Sequence, residues 1–388
     1  MRIGFNALFL GHETTGSGQY TRHLLQALLE LDEGSEYRVF KPQELDGAEE
    51  ADEWKGRASP VERVAALSGG RWRNLDKLWF EQITFPRACH RAVVDLCHVP
   101  YFASPLLSPV PTVVTIHDLI PLLLPEYRSS LRVRLYMLLV SAAARRAELI
   151  ITDSQHSRHD IVKHLGIDPD RVQAIYLAAD PSCRVISDSA TLAHVRQKYG
   201  LPERYILYLG GFDRRKNLEG LLRAYARLSA ALDAVPSLVV AGRLPAADTA
   251  LFPHPRRMVN EFAIGQRVAF TGWVAEEDKP ALYSGALFFA FLSVYEGFGL
   301  MPLEAMACGT PVLAARCASL PEVVGPGGLL VDPADVDEVA QAMAELVRDA
   351  ERRDHLAAEA VKQAAGFDWK RTAAQTLQAY HLVVDRAG

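Results

Sequence analysis

Short apolar or β-branched runs alternate along the chain with longer stretches of helical period. In the first half "RIGFNALFL" (2–10), "DLCHVP" (95–100), "TVVTIHD" (112–118) and "ELIITDS" (148–154) read as strands. "YTRHLLQALLEL" and "SRHDIVKHLG" read as helices between them. The pattern restarts with "RYILYLGG", "SLVVAGR", "RVAFTGW", "LFFAFLS", "TPVLAA" and "GGLLVD". Strands alternating with helices predict α/β domains built on parallel sheets, and the restart predicts a second domain. Between the halves, "DPSCRVISDSATLAHVRQKYGLPER" lacks a strand and carries turn formers, which sets the boundary between Pro181 and Pro202. We expect a first domain over 1–182, a linker over 183–200, a second domain over 201–368 and a final helix over 369–388.

A chain of 388 residues exceeds the size at which one core usually keeps growing, so two domains agree with length as well as pattern. A net charge of −5 without a long Lys/Arg run gives no case for nucleic-acid binding. Five scattered cysteines argue against a disulfide framework and for a reducing, cytoplasmic setting. The opening apolar run breaks into a glycine loop without a cleavage site, and no apolar run is long enough to span a bilayer.

In doubly wound sheets ligands bind beyond the carboxyl ends of the strands, so polar residues following strands are the candidates. The first strand leads into "GHETTGSGQY", with Gly11, Gly16 and Gly18 ahead of a helix; "GGFDRRKNL" places Arg214, Arg215 and Lys216 after a strand. "EGFGLMPLEAMACG" reads as strand end, turn and helix, with Pro302 at the first helical position, Glu304 in the first turn and Gly309 past the end. The amides near Phe298, Gly299 and Leu300 would then form a helix N-terminus suited to a phosphate. Glu304 could be a simple helix acid, but with Glu296 it could also accept hydrogen bonds from sugar or ribose hydroxyls. His117 and Asp118 end a strand, Asp118 being the better loop-shaper. Trp273 and Val274 fit core packing as well as ligand contact. Asp335 and Asp337 spell D-x-D at a helix start, where acids favour the dipole, so no metal is assigned to them. Cys89-His90 and Cys97-His98 lack a metal-ligand frame.

"YEGFGLMPLEAMACGTPVLAARCASLPEVVGPGGLLVDP" resembles the signature of the retaining glycosyltransferases of family 4, including an E-x7-E pattern at Glu296 and Glu304. "GSGQYTRHLLQALLE", "TVVTIHDLIPLLLPEY", "ITDSQHSRHDIVKHLGI" and "YLGGFDRRKNLEGLL" are similar to further family segments, in the expected order. The resemblance implies a GT-B architecture: two Rossmann-like, doubly wound domains with parallel sheets facing across a cleft, the first binding the acceptor and the second the nucleotide-sugar donor, with the last helix crossing back to the first. It implies a metal-independent hexose transfer, mannosyl-type by overall likeness, from a nucleotide diphosphate sugar to an acceptor hydroxyl in polysaccharide or glycoconjugate synthesis. GDP-mannose is the first donor expectation and a UDP-hexose the second; no cofactor is expected.

By the same resemblance Glu304 holds the donor ribose, Glu296 and His117 lie at the transferred sugar, and the Phe298–Leu300 amides lie near sugar and phosphates. Lys216 with Arg215 or Arg214 neutralises the diphosphate, while Gly211 stands where many relatives carry Arg. Val274 lies at the base, Gly16 and Gly18 approach donor phosphate and acceptor, and Tyr20 and Asp118 fall on the acceptor side. No nucleophile for a double displacement stands out, which favours front-face substitution. A sugar-nucleotide hydrolase or epimerase and a non-catalytic binding protein are the alternatives. "RSSLRVRLYMLL" sets Arg128, Arg132 and Arg134 beside apolar residues; an ordinary amphipathic helix is the plainer reading and contact with an anionic membrane bearing a lipid-linked acceptor the other.

Overall fold

The computed structural model describes residues 1–12, 15–43, 61–65, 67, 72–128 and 130–387. Residues 13 and 14 of the expected glycine loop, and Ser129 of the arginine-bearing segment, lie outside them. The chain divides into two units, Met1–Leu177 with Asp368–Gly388, and Ala178–Phe367.

Among the described residues unit 1 is built on seven parallel strands: β1 Arg2–Asn6, β2 Glu36–Pro42, β3 Glu62–Val64, β4 Leu96–Val99, β5 Thr112–Thr115, β6 Leu149–Thr152 and β7 Val172–Ala174, in the order β3-β2-β1-β4-β5-β6-β7. β4, β5 and β6 are buried along their whole length, as strands covered on both faces must be. β1 stops at Asn6 and the rest of "RIGFNALFL" turns, the Leu10 amide donating to the Ala7 carbonyl at 3.1 Å. β2, β3 and β7 escape a reading by apolar runs: "EYRVFKP" mixes charges with its apolar residues, and the other two are only three residues long. The terminal helix Trp369–Ala387 packs on the helix Gly16–Leu31 of the same unit, with Trp369 stacked on His23 at 5.1 Å.

Unit 2 has six parallel strands: β8 Tyr205–Leu209, β9 Ser237–Ala241, β10 Val268–Gly272, β11 Phe288–Phe291, β12 Val312–Ala315 and β13 Gly328–Val331, in the order β10-β9-β8-β11-β12-β13. One core of Ile206, Tyr208, Leu221, Tyr225, Val240 and Phe288 lies against the helices Leu218–Ala231 and Val336–Arg348. Residues 183–200, expected to link the domains, lie inside unit 2. They include the helix Ser189–Tyr199, opened by an Asp188 cap and closed by left-handed Gly200. Lys198 and Tyr199 bind the Asp278 carboxylate at 2.6 and 2.7 Å, which ties this helix to the second core.

Candidate active site

Each sheet has one point where the chain reverses its direction of winding, between β1 and β4 in unit 1 and between β8 and β11 in unit 2. Such switch points open a crevice at the carboxyl edge.

In unit 2 that crevice gathers charge. After β8 the chain makes a short 3-10 turn, Arg214–Lys216, and Asn217, at φ 50°, caps the next helix by accepting the Gly220 amide at 3.2 Å. After β11 the strand end carries Glu296. Its Oε1 lies 2.6 Å from Lys216 Nζ and 2.7 Å from Arg215 Nη1. Arg215 also donates to the Tyr295 carbonyl at 2.8 Å and lies 3.3 Å from Asp213, while Lys216 Nζ sits 4.9 Å from the Phe291 ring centroid. The side chains of Arg215, Lys216 and Glu296 are 12, 9 and 13 % exposed. Burial pushes the Glu296 carboxyl up, but Lys216 and Arg215 outweigh it and hold the group below the usual carboxylate range. Arg214 points to solvent and does not join the cluster; its backbone amide donates to the Leu251 carbonyl. Exposed Gly211 carries only a carbonyl that accepts the Tyr208 hydroxyl.

The helix after this turn is Leu300–Ala307, so Pro302 is its third residue and not its first, and Glu304 lies in the second turn. Glu304 therefore caps nothing. It is 2 % exposed, accepts the Tyr283 hydroxyl at 3.0 Å, and burial raises its pKa against the opposing pull of Lys279. Gly299 opens the helix at φ 118°, and a Cβ there would meet Leu320 Cδ2 at 2.9 Å; only glycine fits both demands. The Ser319 hydroxyl lies 3.0 Å from the Glu296 carbonyl and also touches the Phe298 carbonyl, so the turn has a fixed shape. Phe298 is buried edge-on against Phe367. Val274 is buried, whereas Trp273 is 49 % exposed, which removes core packing as the explanation of the tryptophan. Asp335 is spent as a helix cap accepting the Asp337 and Glu338 amides, and exposed Asp337 pairs with Arg227.

Unit 1 places His117 after β5 and Asp153 after β6, with His117 Nδ1 2.8 Å from Asp153 Oδ2. Burial alone would lower the histidine's pKa, but the Asp153 carboxylate outweighs it and raises it. Tyr20 meets the imidazole edge-on at 4.8 Å, yet is 2 % exposed and spends its hydroxyl on Thr115 at 3.0 Å. It shapes His117 from below and presents no surface to an acceptor. Asp118 accepts the Ile120 amide at 2.9 Å, a loop-shaping bond. Gly16 and Gly18 lie inside the first turn of the helix Gly16–Leu31, not in a loop before it. A Cβ on Gly18 would come within 2.0 Å of the His12 carbonyl oxygen, so its need for glycine is internal; a Cβ on Gly16 would meet nothing within 4 Å among the described residues. Asp153, Asp213, Tyr283 and Lys279 were not singled out in the sequence. Asp153 alone had a signal, as the acid that ends "ELIITDS" just where the histidine ends its neighbour.

Residues 14–182 match the family model "Glycosyltransferase Family 4" and residues 193–363 match "Glycosyl transferases group 1". The chain is 32 % identical to "O-antigen chain mannosyltransferase B" of Escherichia coli, covering 99 % of this chain and 100 % of that one. It is 34 % identical to the E. coli "Serotype-specific mannosyltransferase WbdA" over 70 % of this chain but only 33 % of that longer protein. Among solved structures it is similar to sucrose-phosphate synthase from Thermosynechococcus elongatus (TM-score 0.76, 23 % identity, 100 % of each chain). It is also similar to Anabaena HepE in complex with UDP and glucose (TM-score 0.74, 20 % identity, 98 % of this chain and 99 % of that one).

Proposed function

Because the chain belongs to glycosyltransferase family 4 and has its GT-B fold, we propose that unit 2 holds a nucleotide diphosphate sugar at its switch point and that the hexose leaves with its anomeric configuration retained. The enzyme is a hexosyltransferase of glycoconjugate or polysaccharide synthesis. The observation that carries the site is the convergence of Lys216 and Arg215 on one oxygen of Glu296, at 2.6 and 2.7 Å, in a nearly buried position.

Two preorganised cations beside a fixed turn stabilise the charge that grows on a departing nucleoside diphosphate, and they need no rearrangement at that moment. Glu296, kept ionised by the same cations, accepts hydrogen bonds from sugar hydroxyls. Glu304 and Tyr283 serve the ribose, and the Phe298–Leu300 turn lies against sugar and phosphate. Val274 serves the base. Arg215, rather than exposed Arg214, is the diphosphate arginine in this reading. His117, oriented by Asp153, serves the transferred sugar from unit 1. The acceptor's proton passes to an oxygen of the leaving phosphate as the new glycosidic bond forms and the old one breaks, so no enzyme nucleophile and no metal are required.

Both E. coli relatives bear the name mannosyltransferase, which favours GDP-mannose; HepE carries UDP, which keeps a UDP-hexose as the second donor. No helix among the described residues is long and apolar enough to cross a membrane. A cytoplasmic enzyme in peripheral contact with an anionic bilayer fits the helix Leu131–Ala144, whose Leu131, Leu135 and Leu138 are 70, 57 and 67 % exposed beside exposed Arg132 and Arg134. That exposure departs from an ordinary amphipathic helix, which buries its leucines. A thermal-shift screen of UDP, GDP, ADP and dTDP tests the donor, since a ligand of the native state raises its melting temperature. Proton NMR of the product tests retention; an inverted anomer refutes it.

A further inference from the structure

The transferase reading leaves His98 of β4 without a part, although β4 is the strand beside the one that His117 follows. The His98 ring is fully buried, edge-on to Phe5 at 5.3 Å and to Tyr380 of the terminal helix at 5.5 Å. Both of its nitrogens are bonded: Nδ1 lies 2.6 Å from the Tyr380 hydroxyl and Nε2 2.8 Å from the Thr115 hydroxyl. Thr115 in turn lies 3.0 Å from the Tyr20 hydroxyl. Tyr380, His98, Thr115 and Tyr20 thus form one buried line, from the terminal helix through β4 and β5 to the ring that meets His117 edge-on.

The line has a direction. Burial, aided by the charge of His117, pushes the His98 imidazole down to about 3, so the ring is neutral, with one nitrogen donating and the other accepting. The Tyr380 hydroxyl is fully buried and His98 is its one hydrogen-bond partner among the described residues, so a Tyr380 that accepted would leave its own proton unpaired. Tyr380 therefore donates to Nδ1, the Nε2 proton goes to Thr115, and the Thr115 hydroxyl donates to the Tyr20 oxygen. That order frees the Tyr20 proton at the far end, where Tyr20 feels the Asp153 charge and Asp153 Oδ1 has no hydrogen-bond partner among the described residues. Asp153 holds His117 through its other oxygen. Each link fixes the next, because a group that accepts on one side has its own proton to give on the other.

We propose that His98 and Tyr380 are positioning residues for the transfer: the line from the terminal helix sets the Tyr20 hydroxyl toward Asp153 and so fixes the orientation of the His117–Asp153 pair. The proposal rests on the transferase reading and deepens it by adding two residues that act through others. The test is Tyr380→Phe, which removes one hydroxyl and keeps the ring. Its control is Thr376→Val, which removes a hydroxyl equally buried on the same helix but bonded within it, to the Thr372 carbonyl at 2.8 Å. Two quantities are read in the full chain: initial rates of transfer from GDP-mannose or UDP-glucose to octyl α-mannopyranoside, and the His117 imidazole NMR resonance, assigned by its loss in His117→Asn. A nucleotide thermal shift checks that each variant is folded. Tyr380→Phe should lower kcat about tenfold at unchanged KM, the worth of one hydrogen bond to a buried group, and displace the His117 resonance; Thr376→Val should do neither. Tyr20→Phe should lower kcat similarly, and the double variant no further, because the line is then already cut. An unchanged kcat or resonance in Tyr380→Phe, the same changes in Thr376→Val, or losses that multiply in the double variant overturn the proposal. A wild type with neither nucleotide shift nor transfer fails the transferase reading separately, and the His117 resonance alone then decides the positioning.

Discussion

The two switch points occupy equivalent places in two parallel sheets and have opposite chemistry. At the one in unit 2, two cations share one carboxylate oxygen beside a glycine turn. At the one in unit 1, the Lys77–Glu81 ion pair lies under three aromatic rings. The same backbone solution thus carries two cations on one carboxylate once and an offset ion pair among aromatic rings once, because the loops after the strands, and not the sheets, choose the side chains.

The comparison can be broken most sharply at Glu296. Glu296→Ala leaves the buried Lys216 without its carboxylate and Arg215 with Asp213 alone, and breaking such a buried group costs about 3 to 5 kcal/mol. The expected outcome is loss of transfer by orders of magnitude together with a lower melting temperature; turnover near the wild-type rate in the purified variant refutes the assignment. Lys216→Ala should follow, lowering kcat about a hundredfold or more with the fold kept, by the precedent of deleting one preorganised charge-stabilising donor. Steady-state kinetics with circular dichroism separates lost catalysis from lost fold.

Gly18→Ala has a backbone cause instead. Its Cβ would approach the His12 carbonyl oxygen at 2.0 Å, so urea unfolding should show a loss of about 1 to 3 kcal/mol, whereas Gly16→Ala, whose Cβ would meet nothing within 4 Å among the described residues, should be near neutral. Equal midpoints for the two would refute the distinction.

Asp153→Asn has the smallest effect and a definite pH signature. The folded pKa of His117 is raised above its unfolded value of about 6.5, so the stability it contributes is fully present below that value and fades as pH rises through the folded pKa. The variant should therefore cost more at pH 5.5 than at pH 9, read by urea midpoints at both. A cost that does not change with pH would mean that Asp153 acts only by packing.

Much of this was legible in one dimension. The strands of unit 2 stood out because they are short apolar runs between turn formers. The residues following them stood out because charge has no packing reason to sit there; Lys216, Arg215 and Glu296 were all singled out on that ground and the fold brings them together. The helix phase was misjudged by two residues because Pro302 is tolerated anywhere in the first turn, and glycine at 299, not proline, sets the start. Glu81 was overlooked because an acid in an apolar segment reads as a surface position until its partners are known. Those partners, Lys77 and Tyr136, lie on other turns and another helix.

By itself the sequence determined the α/β class, the presence of two sheets and the family, since periodicity and motif order are properties of neighbours along the chain. Only the tertiary structure decided which arginine joins Glu296, that Asp153 orients His117 and that residues 183–200 belong to the second core. Each of these depends on distances between strand ends far apart in sequence, and pairing energies fall off within a few ångströms, so no linear pattern can encode them.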